Sequence, residues 1–167
     1  AAQAGADALI AVAAGAGGHA GNIVPSILIP WLKSELDVPI IAAGGLATGQ
    51  GLASALALGA EAGYFGTRFI TSEENKFTPE FKQMIIDCGP EDIINSAEIT
   101  GHPANFLKPS FEAFQKQGDQ AKSWKDVWSA GQTVALIDEV KPCAIIVSDL
   151  VKEYKETLSS LPQPISS

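Results

Sequence analysis

Cysteine, histidine and basic residues are all scarce in this chain of 167 residues. Cys88 and Cys143 are too few and too isolated for a disulfide framework or a thiolate metal site. No His, Cys or acidic cluster has the spacing of a ligand set, so no metal is expected. Lysine and arginine number 11 against 19 acidic residues, for a net charge of -8. With no basic stripe to neutralise phosphates, nucleic-acid binding is excluded. The apolar runs all fall short of the roughly 18 residues that a bilayer span requires. The Ala-rich start carries Asp7 and no basic cluster, unlike a secretory signal. A reduced, cytoplasmic protein is expected.

What the chain does have is glycine in telling places. Val38 to Ala43 is a short, β-branched, uninterrupted apolar run, the pattern of a strand buried on both faces. Gly44-Gly45 ends it, and a small-residue helix is predicted to begin near Thr48 or Gly49. Leu52, Leu56 and Gly59 mark its expected packing face, and Gly59-Ala60 its end. A second strand, Ala62 to Phe65, stops at Gly66-Thr67. Together these form one β-α-β unit of a parallel sheet. Bare backbone at two adjacent strand ends suits a phosphate, which needs convergent N–H donors and no intervening Cβ. The plainer reading is that the glycines only make tight turns; two such pairs, each closing a buried strand, favour phosphate.

An earlier strand, Ala8 to Ala13, runs into Gly15-Ala16-Gly17-Gly18-His19-Ala20-Gly21. Functional side chains of parallel barrels sit in loops at strand C-termini. Histidine suits proton transfer there, because an unperturbed imidazole titrates near neutrality. His102 is a second histidine to weigh for the site, but beside Pro103 it reads rather as a turn residue. Pro79 to Cys88 is predicted to be an amphipathic helix, and Glu91 to Ile99 a short strand or extended piece. Helix is also predicted for Ser110 to Gln120. Thr133 to Val140 should show an apolar face. Ala144 to Leu158 should bury a stripe of Ile145, Ile146, Leu150, Val151 and Tyr154. Trp124 and Trp128 read as helix-face packing, and Ser159 to Ser167 as a mobile tail.

The segments AGGHAG, PIIAAGGLATGQG and ALALGAEAGYFGTRF resemble the nitronate monooxygenase (2-nitropropane dioxygenase-like) family. These are flavin-dependent barrel enzymes, and FMN-dependent enoyl-acyl-carrier-protein reductases are close relatives. The resemblance runs strongly from Gly5 to Glu74. It continues through Ile99 to Phe106, Trp128 to Pro142 and the last helix. It implies FMN as cofactor. Backbone donors from Gly44, Gly45, Gly66 and Thr67 would take its phosphate, and Gly17 and Gly18 would lie against the flavin or its ribityl chain. His19 would be the catalytic base. Gln132, in the recurring segment SAGQ, receives no assigned contact. Ala11, Val12 and Ala13 stand where some members carry an acidic residue.

The expected fold is α/β, the C-terminal part of a (β/α)8 TIM barrel with about three parallel strands, a helical insertion and C-terminal helices. A complete barrel needs about 250 residues, so the chain reads as the C-terminal half of a longer protein, partnered by a missing N-terminal half. Residues 1–74 would carry the barrel strands and phosphate site, 75–127 an insertion near the barrel mouth, and 128–167 the closing helices. The implied activity is oxidation of an alkyl nitronate or nitroalkane with dioxygen. The alternatives are a nicotinamide-dependent enoyl thioester reductase and a non-catalytic phosphate-binding barrel fragment. A homo-oligomer is compatible with either enzyme reading. Nucleotide dehydrogenase barrels share the glycine pairs but need a loop cysteine, and this loop offers His19 instead.

Overall fold

The three apolar runs form a parallel sheet. A computed structural model describes residues 4–117 and 127–162. In it β1 (Leu9–Val12) pairs with β3 (Ile40–Ala43), and β3 with β4 (Ala62–Tyr64), in the order β1-β3-β4. Both pairings are parallel, with Val12 opposite Ala43 and Ala43 opposite Tyr64. Strand ends that carry Gly15, Gly44 and Gly66 therefore finish side by side. The sheet is covered on one face. Ala11, Ile40 and Ala42 are buried, whereas Ile10, Val12 and Tyr64 on the alternate positions are exposed.

Helices α1 (Pro25–Glu35) and α2 (Gly49–Ala57) cover the buried face. Ile29, Ala42, Leu46, Ala55 and Ala60 make one core cluster there. Helix α1 has no clear periodic signal, since Pro25 opens it and Pro30 lies inside it. The first proline is favourable because its missing N–H is an orphan at that position; the second removes an internal bond. Helix α2 begins where the sequence places it. The Thr48 side chain accepts a 3.1 Å hydrogen bond from Gly51 N, a cap that stabilises a helix by about 1 kcal/mol. Its buried face is Gly49, Ala53 and Ala55, not the predicted Leu52 and Leu56, which are only partly covered. Small residues win because α6 (Cys143–Ser160) crosses it closely.

The middle of the chain folds into a second sheet. After α3 (Thr67–Ile70) and α4 (Pro79–Asp87), strand β5 (Ile93–Ser96) pairs antiparallel with β6 (Ala104–Leu107). The other edge of β6 takes the two-residue strand β2 (Gly18–His19) from the glycine loop, with His19 opposite Ala104. Helix α5 (Lys108–Gln117) follows directly. Phe81, Ile85, Leu107, Ala130 and Val134 form a core that joins α4 and β6 to the segment after residue 127.

These findings correct the expected fold. The architecture is not simply the C-terminal part of a barrel with a helical insertion. It combines a barrel-like parallel sheet with an antiparallel sheet, β2-β6-β5, laid across the glycine loop. Strand β5 falls within the short strand or extended piece expected at 91–99, whereas β6 is not expected from the sequence. Residues 132–136 form a 3-10 helix, and their apolar side chains split between core and surface. In α6 only Ile146 and Leu150 of the predicted stripe are buried, while Ile145 and Val151 are exposed. Trp128 is not helical; it stacks on Phe81 with ring centroids 4.8 Å apart. Trp124, the last residues of the predicted 110–120 helix and most of the predicted mobile tail lie outside the described residues. No described helix is long and apolar enough to cross a membrane.

The α2–α6 contact yields a paired prediction. A Cβ on Gly49 would run into the α6 backbone at Leu150 O and Tyr154 N, whereas one on Gly51 meets its nearest neighbour, Leu46, at 3.5 Å. Gly49→Ala should therefore destabilise by about 1–3 kcal/mol, as overpacking does. Gly51→Ala should stabilise by roughly 0.5–1 kcal/mol, because it removes helix-interior glycine. Urea unfolding of the two variants beside the parent measures both.

Candidate functional site

The C-terminal ends of β1, β3 and β4 open into one cavity of about 500 Å³. Its floor is the exposed sheet face, with Ile10, Val12 and Tyr64. Its rim is made by three loops. The first brings Gly15 to His19, the second Gly44 and Gly45, and the third Gly66 and Thr67. All seven residues singled out from sequence thus line the same cavity. Ser129 and Thr133 also line it, a contribution that no motif announces.

Each loop is held by specific contacts. Gly44 and Gly45 have φ of 87° and 77°, the left-handed region that a side chain disfavours. A Cβ on Gly44 would also come within 2.9 Å of Ala13 O and 2.8 Å of Ala16 N. The first two loops therefore pack backbone to backbone. Gly17 is equally confined, because a Cβ there would meet Ala130 and Gly131 backbone at 2.8 Å. Gly66 is different: a Cβ on it would meet nothing within 4 Å. The N–H groups of Gly45 and Gly66 take no backbone carbonyl among the described residues. Thr67 is buried, and its hydroxyl accepts a 3.0 Å hydrogen bond from Gly131 N. Gln132 ties the same region together, donating its backbone N–H to Gly15 O.

Charge is kept away from the walls. None of the described residues lining the cavity is Lys, Arg, Asp or Glu. Arg68 follows Thr67 but turns away and is buried; its Nη1 donates to Thr71 Oγ1 and Glu139 O, each at 3.1 Å. Burial pulls its guanidinium below the ordinary value, opposed by the carboxylates of Asp138, Glu139, Asp149 and Glu153. The N-terminus of α2 is already taken, since Gly49 N donates to Glu153 Oε2 at 2.7 Å. An anion in the cavity would rest on loop N–H groups and hydroxyls, without a cationic side chain.

His19 stands exposed at the rim, and the second sheet fixes its place. The buried amide of Asn105 donates to Ala14 O at 3.1 Å and Ala16 O at 2.7 Å, clamping the loop from below. It accepts in turn from Asn95 Nδ2 at 2.8 Å. His19 Nε2 lies 3.2 Å from Thr100 Oγ1. His102, read from sequence as a turn residue, packs edge-on against His19 with ring centroids 6.2 Å apart. Asn105, Thr100 and His102 are thus neighbours of the candidate base, far along the chain from it. The described residues contain no group of His, Cys, Asp and Glu able to hold a metal ion.

Comparison with known proteins places this geometry in context. The structure of FabK from Thermotoga maritima superposes with a TM-score of 0.83 at 35% identity, covering 95% of this chain and 57% of that one. A nitroalkane oxidase from Streptomyces ansochromogenes superposes with a TM-score of 0.82 at 27% identity, over 96% of this chain and 55% of the other. A nitronate monooxygenase from Paraburkholderia phytofirmans is 27% identical over 96% of this chain and 52% of its own length. These matches correct two expectations. The likeness runs through 95–96% of the chain and takes in the antiparallel sheet with the parallel one. The reading as a C-terminal half alone, with a missing N-terminal half as partner, is accordingly set aside. The chain spans about half the length of the curated relatives it matches. A family model described as nitronate monooxygenase matches residues 1–111, and the chain belongs to that family of FMN-dependent oxidoreductases.

Proposed function

We propose that this chain binds FMN in the cavity at the ends of β1, β3 and β4 and acts as an FMN-dependent oxidoreductase with His19 as its acid–base group. The observation that carries the reading is the cradle itself. Gly45 and Gly66 offer N–H groups that no described backbone carbonyl takes, beside the hydroxyl of Thr67. Such a nest suits a phosphate. The apolar floor of Ile10, Val12 and Tyr64 suits the body of a planar cofactor. Gly44 contributes mainly by letting its loop approach the His loop, and Gly17 and Gly18 keep the facing wall free of side chains.

When bound, FMN supplies two-electron redox chemistry, which the protein positions but does not itself perform. The chain's own part is to orient, exclude water and handle a proton. At the rim, His19 can take a proton from a carbon α to a nitro group or give one to a carbon being reduced. General acid–base catalysis of this kind contributes roughly 10²–10⁴-fold.

Of the two substrate classes, reduction of an enoyl thioester by a nicotinamide comes first. The similarity to FabK, at 35% identity, supports it over the 27% identity to the nitroalkane oxidase. Nitronate oxidation with dioxygen is the second reading, supported by the family model and by the nitronate monooxygenase relative.

Three measurements check these readings. In anaerobic mixtures of the protein with FMN, NADH or NADPH should bleach the flavin absorbance; bleaching by a propionate-type nitronate alone would reverse the order of the two. Gly66→Asp places a carboxylate in open space at the phosphate position, so FMN affinity should fall at least about tenfold. Unfolding of the flavin-free protein should stay within about 0.5 kcal/mol of the parent. Fluorescence titration and thermal melts read the two separately. His19→Asn should retain FMN and lose about 10²–10⁴-fold in turnover, and turnover equal to the parent's would remove its role.

A further inference from the structure

The hydroxyl of Thr100 has one proton and three neighbours. Its Oγ1 lies 2.8 Å from His102 O, 3.2 Å from His19 Nε2 and 3.4 Å from His102 N. The carbonyl can only accept, so the contact with His102 O uses the hydroxyl proton. A separation of 2.8 Å is the usual length of an O–H···O bond. Two lone pairs remain on Oγ1. The His102 N–H points at one across a long contact, and His19 Nε2 approaches the other. With the only hydroxyl proton committed, Nε2 must be the donor in the contact with His19.

We infer that Thr100 is a positioning residue that holds neutral His19 as the Nε2–H tautomer, leaving Nδ1 as the nitrogen that carries the basic lone pair. The inference rests on the reading of His19 as the acid–base group. The surroundings make the arrangement specific. Thr100 and His102 flank Gly101, whose φ of 77° turns the chain sharply. Gly101 N donates to Ala97 O at 2.8 Å and anchors that turn to the end of β5. Two residues after His102, Ala104 opens β6 directly opposite His19. The strand pairing thus sets the imidazole-to-hydroxyl distance, and the Asn105 clamp on Ala14 and Ala16 fixes the loop behind it. Nδ1 has no hydrogen-bond partner among the described residues, as a nitrogen kept for a substrate proton requires. The assignment follows the general rule that the bond made by one ring nitrogen dictates the state of the other.

The chain has two histidines, which makes the test direct. Two-bond ¹H–¹⁵N spectra of the labelled full chain, recorded at about pH 8.5, where an ordinary imidazole is neutral, distinguish the tautomers. A His102→Gln spectrum assigns the signals. The expected result is a single Nε2–H pattern for His19 in the parent and in Thr100→Ser. In Thr100→Val, which keeps the shape and loses the hydroxyl, the two nitrogen shifts should move towards each other as the tautomers mix. An Nδ1–H pattern in the parent, or a Thr100→Val spectrum identical to the parent's, would overturn the inference. Because the spectra need neither substrate nor turnover, they are independent of the His19→Asn assay. Failure of that assay removes the base, and failure of the spectra removes only its tautomer control.

Discussion

Close backbone packing between three loops is the constraint on which the rest depends. Gly15, Gly17, Gly44 and Gly131 meet the facing loops where side chains would not fit. A Cβ on Gly44 would press on Ala13 and Ala16, and one on Gly17 on Ala130 and Gly131. Gly15 completes the set, since its own Cβ would come within 3.2 Å of the Gly45 backbone. Each loop belongs to a different part of the chain, so this junction sets the distance between the sheet ends and the segment after residue 127. The cavity is the space left beside it. Interiors tolerate added volume poorly, so the shape of the site and the stability of the junction are not separable.

The two sheets divide the labour. The parallel sheet gives the cavity its floor and brings two glycine turns side by side. The antiparallel sheet reaches over to hold the histidine loop, through two backbone pairs and one buried amide. The amide clamp is effective because both carbonyls it satisfies sit in a loop with few other partners. Leaving such groups buried and unpaired costs about 1–3 kcal/mol each. The exposed imidazole thus stands on a rigid base, with its outer nitrogen steadied by a turn from the same sheet.

Much of this was legible in the amino-acid order, and the reasons for the rest are physical. The runs Ile40–Ala43 and Leu9–Val12 announce parallel strands because they are short, continuous and apolar, although only one face is covered and the other, with Ile10 and Val12, lines the cavity. The glycines announce close approach. Thr48 announces a helix start, and its side chain caps that helix. Strand β2 could not be read, since two residues carry no periodicity. Strand β6, Ala-Asn-Phe-Leu, is buried throughout, so no polar face alternates. Helix α1 was hidden by Pro30. Thr100 and Asn105 escaped because their meaning lies in contacts with residues more than 80 positions away, which only the chain's three-dimensional path supplies. The leucines of α2 misled because hydrophobicity ranks them above alanine, whereas the neighbouring helix selects for size.

The carboxylate of Glu153 on the first turn of α2 has a meaning beyond capping. A helix start is the ordinary resting place for a bound anion in α/β proteins, and here the protein has filled that place with its own last helix. An outside anion would thus have to rest on directed donors in the loops and not on this helix dipole. A field rewards charge; a nest of donors rewards outline. For the proposed FMN phosphate, fit to those donors would then count for more than long-range attraction, in a chain whose net charge of -8 repels anions.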